Sequence, residues 1–176
     1  VEAMRCVTSG ANNIALGTNT MDGVLTGAGN IAMGQNAMGQ STSAACNIAI
    51  GTLALGGAAL TGNSNISLGL NSMDAATSAT GNVAIGTHAL GANLTGNANV
   101  AIGEEALAGS GDSGISQNIA IGCQAMGVGA TTGHHNIAIG AETLKAVLAG
   151  TGNVSIGQNS GCMITTGQDN VALGRQ

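Results

Sequence analysis

The sequence predicts an all-β tandem-repeat β-solenoid, a β-roll or β-helix of ten 17–19-residue coils, on three observations. The pattern N-[IV]-[AS]-[ILM]-G recurs ten times at near-constant spacing. The 176 residues include 31 Gly but no Pro, Phe, Tyr or Trp, so the chain lacks the side chains that supply the largest buried areas of ordinary cores. Finally, β-branched residues and Gly recur in every repeat and no 3.6-residue apolar period persists, which argues against helices.

The motif starts at Asn13, Asn30, Asn47, Asn65, Asn82, Asn99, Asn118, Asn136, Asn153 and Asn170, with spacings of 17, 17, 18, 17, 17, 19, 18, 17 and 17 residues. Such a repeat overrides any estimate of fold from length. Residues 1–12 read as a lead-in, part of a preceding coil. Residues 13–176 read as the ten-repeat solenoid, expected to be a fragment of a longer fibre.

Within a repeat, the motif reads as a short strand whose side chains alternate between two faces. Ile14 and Leu16 share one face, and Asn13, Ala15 and Gly17 share the other. The large aliphatics are expected to point inward. Four residues after the motif Gly comes Met21, Met38, Leu55, Met73, Leu90, Leu107, Met126 or Leu144, preceded by Ala, Ser or Thr, and this predicts a second strand. The ninth repeat carries Gly161 there, with Met163 nearby. A third apolar site recurs at Leu25, Leu60, Leu94 and Leu148. The repeat closes in a T-G turn, as at Thr26-Gly27, Thr61-Gly62, Thr95-Gly96, Thr132-Gly133 and Thr166-Gly167.

Coils of equal length stack in register with strands ~4.8 Å apart, a rod of roughly 45–50 Å for the whole set. The ten motif Asn residues are then placed to form a side-chain ladder, a structural role like that of stacked amides in in-register β-structure. The longer repeats are expected to bulge after Leu55, Leu107 and Met126. A single stack offers few large aliphatics per coil against the entropy of ordering it. A homo-oligomer, a trimer, is therefore expected, with the small, uncharged Asn-Ala-Gly face as one contact.

The N-[IV]-A-[IL]-G motif resembles the head repeat of trimeric autotransporter adhesins, the YadA-like β-roll. The longer form over residues 81–103, GNVAIGTHALGANLTGNANVAIG, is similar to repeats of bacteriophage tail fibres. The resemblance spans about residues 12–174. It implies a trimeric extracellular fibre, a virion appendage or cell-surface structure, used for attachment or as a spacer. Any receptor or glycan would be met by another part of the fibre, and neither family implies catalytic residues, cofactors or metals in this segment.

Composition and spacing exclude several other classes. The net charge is −5, and the only basic residues, Arg5, Lys145 and Arg175, lie far apart, so nucleic acid is not an expected partner. No run approaches the ~20 apolar residues of a membrane helix, and no secretory leader is visible. Cys6, Cys46, Cys123 and Cys162 occupy non-equivalent positions in distant coils, so free thiols acting as small hydrophobes are expected within a chain. A disulfide between chains stays open. His134-His135 falls in a turn and His88 in a variable position, without the Cys/His spacing of a zinc site. Glu104-Glu105 and Asp112 could serve as acid and base, but no aromatic platform or other polar group accompanies them. Asp22, Asp74, Asp112 and Asp169 do not reproduce a calcium-roll signature. The sequons at Asn65, Asn93 and Asn153 read as accidental, two of them being ladder residues.

The sequence thus predicts a non-enzymatic structural or adhesive fibre segment. The alternative is an ice-binding solenoid, since Ala, Thr and Gly are frequent, although no Thr-x-Thr ladder is present.

Overall fold

The computed structural model describes residues 2–23, 26–109, 114–127, 132–146 and 149–176. Among these there are ten three-residue strands and no helix: β1 (Ile14–Leu16), β2 (Ile31–Met33), β3 (Ile48–Ile50), β4 (Ile66–Leu68), β5 (Val83–Ile85), β6 (Val100–Ile102), β7 (Ile119–Ile121), β8 (Ile137–Ile139), β9 (Val154–Ile156) and β10 (Val171–Leu173). They form one parallel sheet in sequence order. Each pair is in motif register, as in Val83↔Val100, Ala84↔Ala101 and Ile85↔Ile102. Every strand is the middle of one motif, so the repeat length sets the register and each turn of chain adds one strand. The result is a β-solenoid of about nine turns, one per strand pairing. Residues before the first motif already stack on it: Met4 N–H donates to the Thr20 carbonyl and Asn19 N–H to that of Glu2.

The interior reverses the expected orientation of the strands. The small central residue points inward, and Ala32, Ala49, Ser67, Ala84, Ala101, Ala120, Ala138 and Ser155 are fully buried, with the motif Asn beside them. The Ile, Val, Leu and Met on either side point outward. Only small residues fit because each coil is thin. The inward residue of a strand meets the residue five further on at hydrogen-bonding distance, as Ser67 Oγ to Ser72 Oγ at 2.9 Å shows. The equivalents of Ser72, such as Ala37, Ala54 and Ala89, are likewise buried.

The expected second strand is a turn. Its Leu or Met is buried, from Met21 to Leu144, and with Leu60 and Ile115 these side chains are the largest in the core. Yet their backbone is left-handed, with φ of 49–52°. Such a conformation costs a non-glycine residue about 1–2 kcal/mol. It persists because the side chain is enclosed and the N–H bonds to the next coil, as Leu90 does to the Ala106 carbonyl at 2.9 Å. Of the third apolar site, Leu60 is buried and Leu94 half-buried, whereas Leu25 and Leu148 lie outside the described residues. In the 18-residue repeat after Leu55 the bends fall at Gly57 and Ala58. The longer connections after Leu107 and Met126 fall partly outside the described residues.

The motif Gly is fixed by stacking. At Gly86, φ is +136° and an added Cβ would lie 2.4 Å from the Gly103 carbonyl oxygen of the next coil. Gly86→Ala is therefore expected to cost about 3 kcal/mol, combining backbone strain with a backbone clash. Gly81→Ala, at φ +70° with nothing within 4 Å of the new Cβ, meets only the left-handed penalty of ~1 kcal/mol. Thermal unfolding of the two variants compares them directly; equal costs would show that coil contact does not select the motif Gly.

Candidate functional site

Two features organise this molecule: a ladder inside it and an apolar face outside it. The ladder joins all ten motif Asn residues. Asn82 shows the pattern. Its Nδ2 donates to Asn65 Oδ1 at 3.1 Å and to the Gly96 carbonyl at 2.8 Å. Its Oδ1 accepts from the Asn99 backbone N–H at 2.9 Å and from Asn99 Nδ2 at 3.0 Å. One amide thereby satisfies two donors and two acceptors while fully buried in the coil. The same links run from Asn13 through Asn30, Asn47 and Asn65, and from Asn99 through Asn118, Asn136 and Asn153 to Asn170. Asn30 to Asn153 are fully buried, and so is Asn93, so the amides of all three sequons are enclosed.

Sequence reasoning missed a second ladder, formed by the residue two before the motif Asn. Asn63 Oδ1 accepts from Ala45 N–H, Thr80 Oγ1 from Asn63 N–H, Asn97 Oδ1 from Thr80 N–H, Ser116 Oγ from Asn97 N–H, and His134 Nδ1 from Ser116 N–H. Each side chain caps an exposed amide of the preceding coil. The turn histidine His134 is thus a structural acceptor, while His135 beside it is exposed. The signal lay in the polar residues shared by that position from the fourth repeat onward.

The outer face carries two columns of large aliphatics, one residue and three residues after each motif Asn. They run from Ile14 to Val171 and from Leu16 to Leu173, and none is buried. Ile14, Leu16, Met33, Ile50, Ile139, Ile156, Val171 and Leu173 are 37–71% exposed. No charged residue interrupts these columns. Nine strand steps of ~4.8 Å by a stripe two side chains wide give on the order of 500 Å² of continuous apolar surface. That is near the upper limit for the largest patch of an ordinary monomer, which is itself usually an interaction site. The stripe is bordered by the residue before the motif Asn on one side and the residue after the motif Gly on the other.

The polar candidates are dispersed. Glu104 is exposed on the strand-face border, whereas Glu105 lines an open cleft of about 430 Å³ with Asp74, His88, Gly91 and Gly127. Gln124 Nε2 donates to Glu105 Oε2 at 2.7 Å. Burial raises the Asp74 carboxyl above the usual carboxylate range, partly opposed by nearby His88. Asp22 is bound by Arg5 at 3.0 Å in another part of the stack, Asp169 is exposed, and Asp112 lies outside the described residues. No group of three or more His, Cys, Asp or Glu able to hold a metal occurs among the described residues. All four cysteines are free, and Cys46 and Cys123 are exposed, so these two are surface thiols and not the small core hydrophobes expected. Among the described residues no helix is long and apolar enough to cross a membrane.

Fold and faces together define a β-solenoid with a polar-laddered interior and an apolar exterior stripe. No protein-family model, curated protein or solved structure matches the chain.

Proposed function

We propose that this chain is a non-enzymatic structural segment of an extracellular fibre, on a virion or a cell surface, in which copies join through their aliphatic strand faces. The observation that carries this reading is the uncharged stripe of large aliphatics on one flat side of a regular stack. A monomer in water would expose all of it, and its own core, made mostly of Ala and Asn with one or two large aliphatics in most coils, gives little burial to offset that. Three copies about an axis parallel to the rod would enclose two aliphatics per level from each copy. The resemblance to trimeric adhesin and tail-fibre repeats favours three. The contact expected from sequence, the Asn-Ala-Gly face, is interior and therefore does not serve. Receptor or glycan binding is assigned to other parts of the fibre.

Light scattering with electron microscopy tests the reading. A mass of three chains in a rod about 45 Å long is expected; a stable single-chain particle at micromolar concentration would remove it.

One observation favours a second reading, an ice-binding solenoid. Thr26, Ser43, Thr61, Ser78, Thr95, Thr132 and Thr166 are exposed hydroxyl residues at one repeat position, a column interrupted by Gly114 and Ala149. Thermal hysteresis of the purified chain distinguishes the two.

A further inference from the structure

We propose that His134 makes one corner of the stack acid-sensitive: a second proton on its imidazole releases the Ser116 amide, while the equivalent contacts of other coils hold. In the ladder two residues before the motif Asn, each side chain caps a backbone N–H of the preceding coil. Asn63, Thr80, Asn97 and Ser116 do so with an amide or hydroxyl oxygen, which accepts at any ordinary pH. His134 does so with Nδ1, 3.0 Å from the Ser116 nitrogen. An imidazole nitrogen accepts only while it carries no proton, so this contact selects the neutral ring with its proton on Nε2. Protonation turns Nδ1 into a donor that faces a donor. The ring must then turn away or the corner must open.

Ser116 is a junction, so its release reaches other contacts. Its Oγ accepts from Asn97 N–H at 3.2 Å, and its carbonyl from Asn118 Nδ2 at 3.3 Å. Ile115 before it is fully buried, and its carbonyl accepts from Asn99 Nδ2 at 2.9 Å. Ser116 and His134 also stand near the ends of two consecutive long repeats, of 19 and 18 residues. The contact thus lies where the stack departs furthest from its 17-residue period.

Among the described residues, few titratable groups surround His134. His135 on the same coil has its ring centroid 6.4 Å away. The coil before presents Ser116 and Gln117, and the coil after presents Thr151 and Gly152, none of which titrates. Asp169, one coil further on, leans over Gly152. The closed corner uses only the neutral ring, whereas the open corner takes either form. The contact is therefore complete above the ordinary histidine range and lost as pH falls through it.

Amide exchange read residue by residue by NMR tests this, with each rate divided by that of an unstructured amide at the same pH. Protection of the Ser116 amide is expected to fall roughly five- to tenfold between about pH 8 and about pH 5, the worth of one partly buried hydrogen bond. Thr80, whose N–H donates to Asn97 Oδ1 at 2.8 Å, should keep its protection. His134→Asn supplies the amide that Asn63 and Asn97 use at this position, and should make Ser116 indifferent to pH. His135→Asn, matching Asn12 at the equivalent position, should leave the response in place. Unchanged protection at Ser116, or an equal fall at Thr80, overturns the proposal. So does a response that survives His134→Asn or vanishes with His135→Asn. The ring nitrogen shifts of His134 at pH 8 give an independent reading: a proton on Nε2 is expected, and a ring protonated at Nδ1 overturns the contact itself.

Discussion

Asn82→Ala is expected to destabilise the stack by about 3–6 kcal/mol, from the 1–3 kcal/mol cost of each buried polar group left without a partner. The substitution strips the Gly96 carbonyl of its side-chain donor, leaves the Asn99 N–H without its acceptor, and removes one of two donors from Asn65 Oδ1. Asn82 is completely enclosed, so water cannot replace the amide. Against a typical total of about 5–15 kcal/mol, a loss of this size is a large share of stability. Because coils contact only their neighbours, the damage should centre on the fifth coil, and amide exchange should accelerate around Val83–Ile85 before either end. Asn82→Asp should be worse still, since a carboxylate cannot donate to the Gly96 carbonyl and would face Asn65 Oδ1. Asn170→Ala is the comparison: Asn170 is exposed and its side chain bonds only to Asn153 Oδ1, so a cost near 1 kcal/mol is expected. Urea unfolding of the three variants measures the contrast. A cost for Asn82→Ala no larger than that for Asn170→Ala would mean the ladder does not hold the stack.

The period of this fold was legible in the sequence because each coil repeats the same physical problem. The motif Gly recurs where the next coil's backbone approaches, and the motif Asn recurs where four hydrogen-bonding groups converge. The direction of the strand faces was not legible from alternation alone. Alternation separates Ile14 and Leu16 from Ala15, but does not say which side is the core, and the ordinary preference for large apolar residues inside points the wrong way here. A finer signal existed. Ser replaces the central Ala at Ser67 and Ser155, and in the same repeats the residue five further on is Ser72 and Ser160. Ser67 and Ser72 face each other inside the coil, so the paired replacement marked two inward columns. The Leu or Met of the turn was readable as buried but not as left-handed, since nothing in those residue types favours positive φ. The cleft of Asp74, His88 and Glu105 draws on three successive coils at two different repeat positions, which only the stacked geometry brings together.

The same reversal gives the substitution with the largest expected effect on assembly. Ile85 and Ile102 are register partners in the middle of the sheet, on adjacent strands of the outer face. Changing both to Lys should abolish the multi-chain particle. The double variant places two ammonium groups per chain in a dry contact, where each would be desolvated without a partner. It also removes two large aliphatics, each worth about 1.5–3 kcal/mol when fully buried. The coil itself should survive, because both side chains project away from the core that Ala84 and Ala101 occupy. Scattering mass and far-ultraviolet circular dichroism separate the two effects: a single-chain mass with retained β signal is the expected pair of results. Thr61→Lys, at an exposed turn away from the strand face, should leave the mass unchanged. If the Ile85→Lys/Ile102→Lys variant keeps its full multi-chain mass, the copies meet elsewhere. If it loses its β signal, the coil is not stable alone, and folding and association are then one event, as in obligate oligomers.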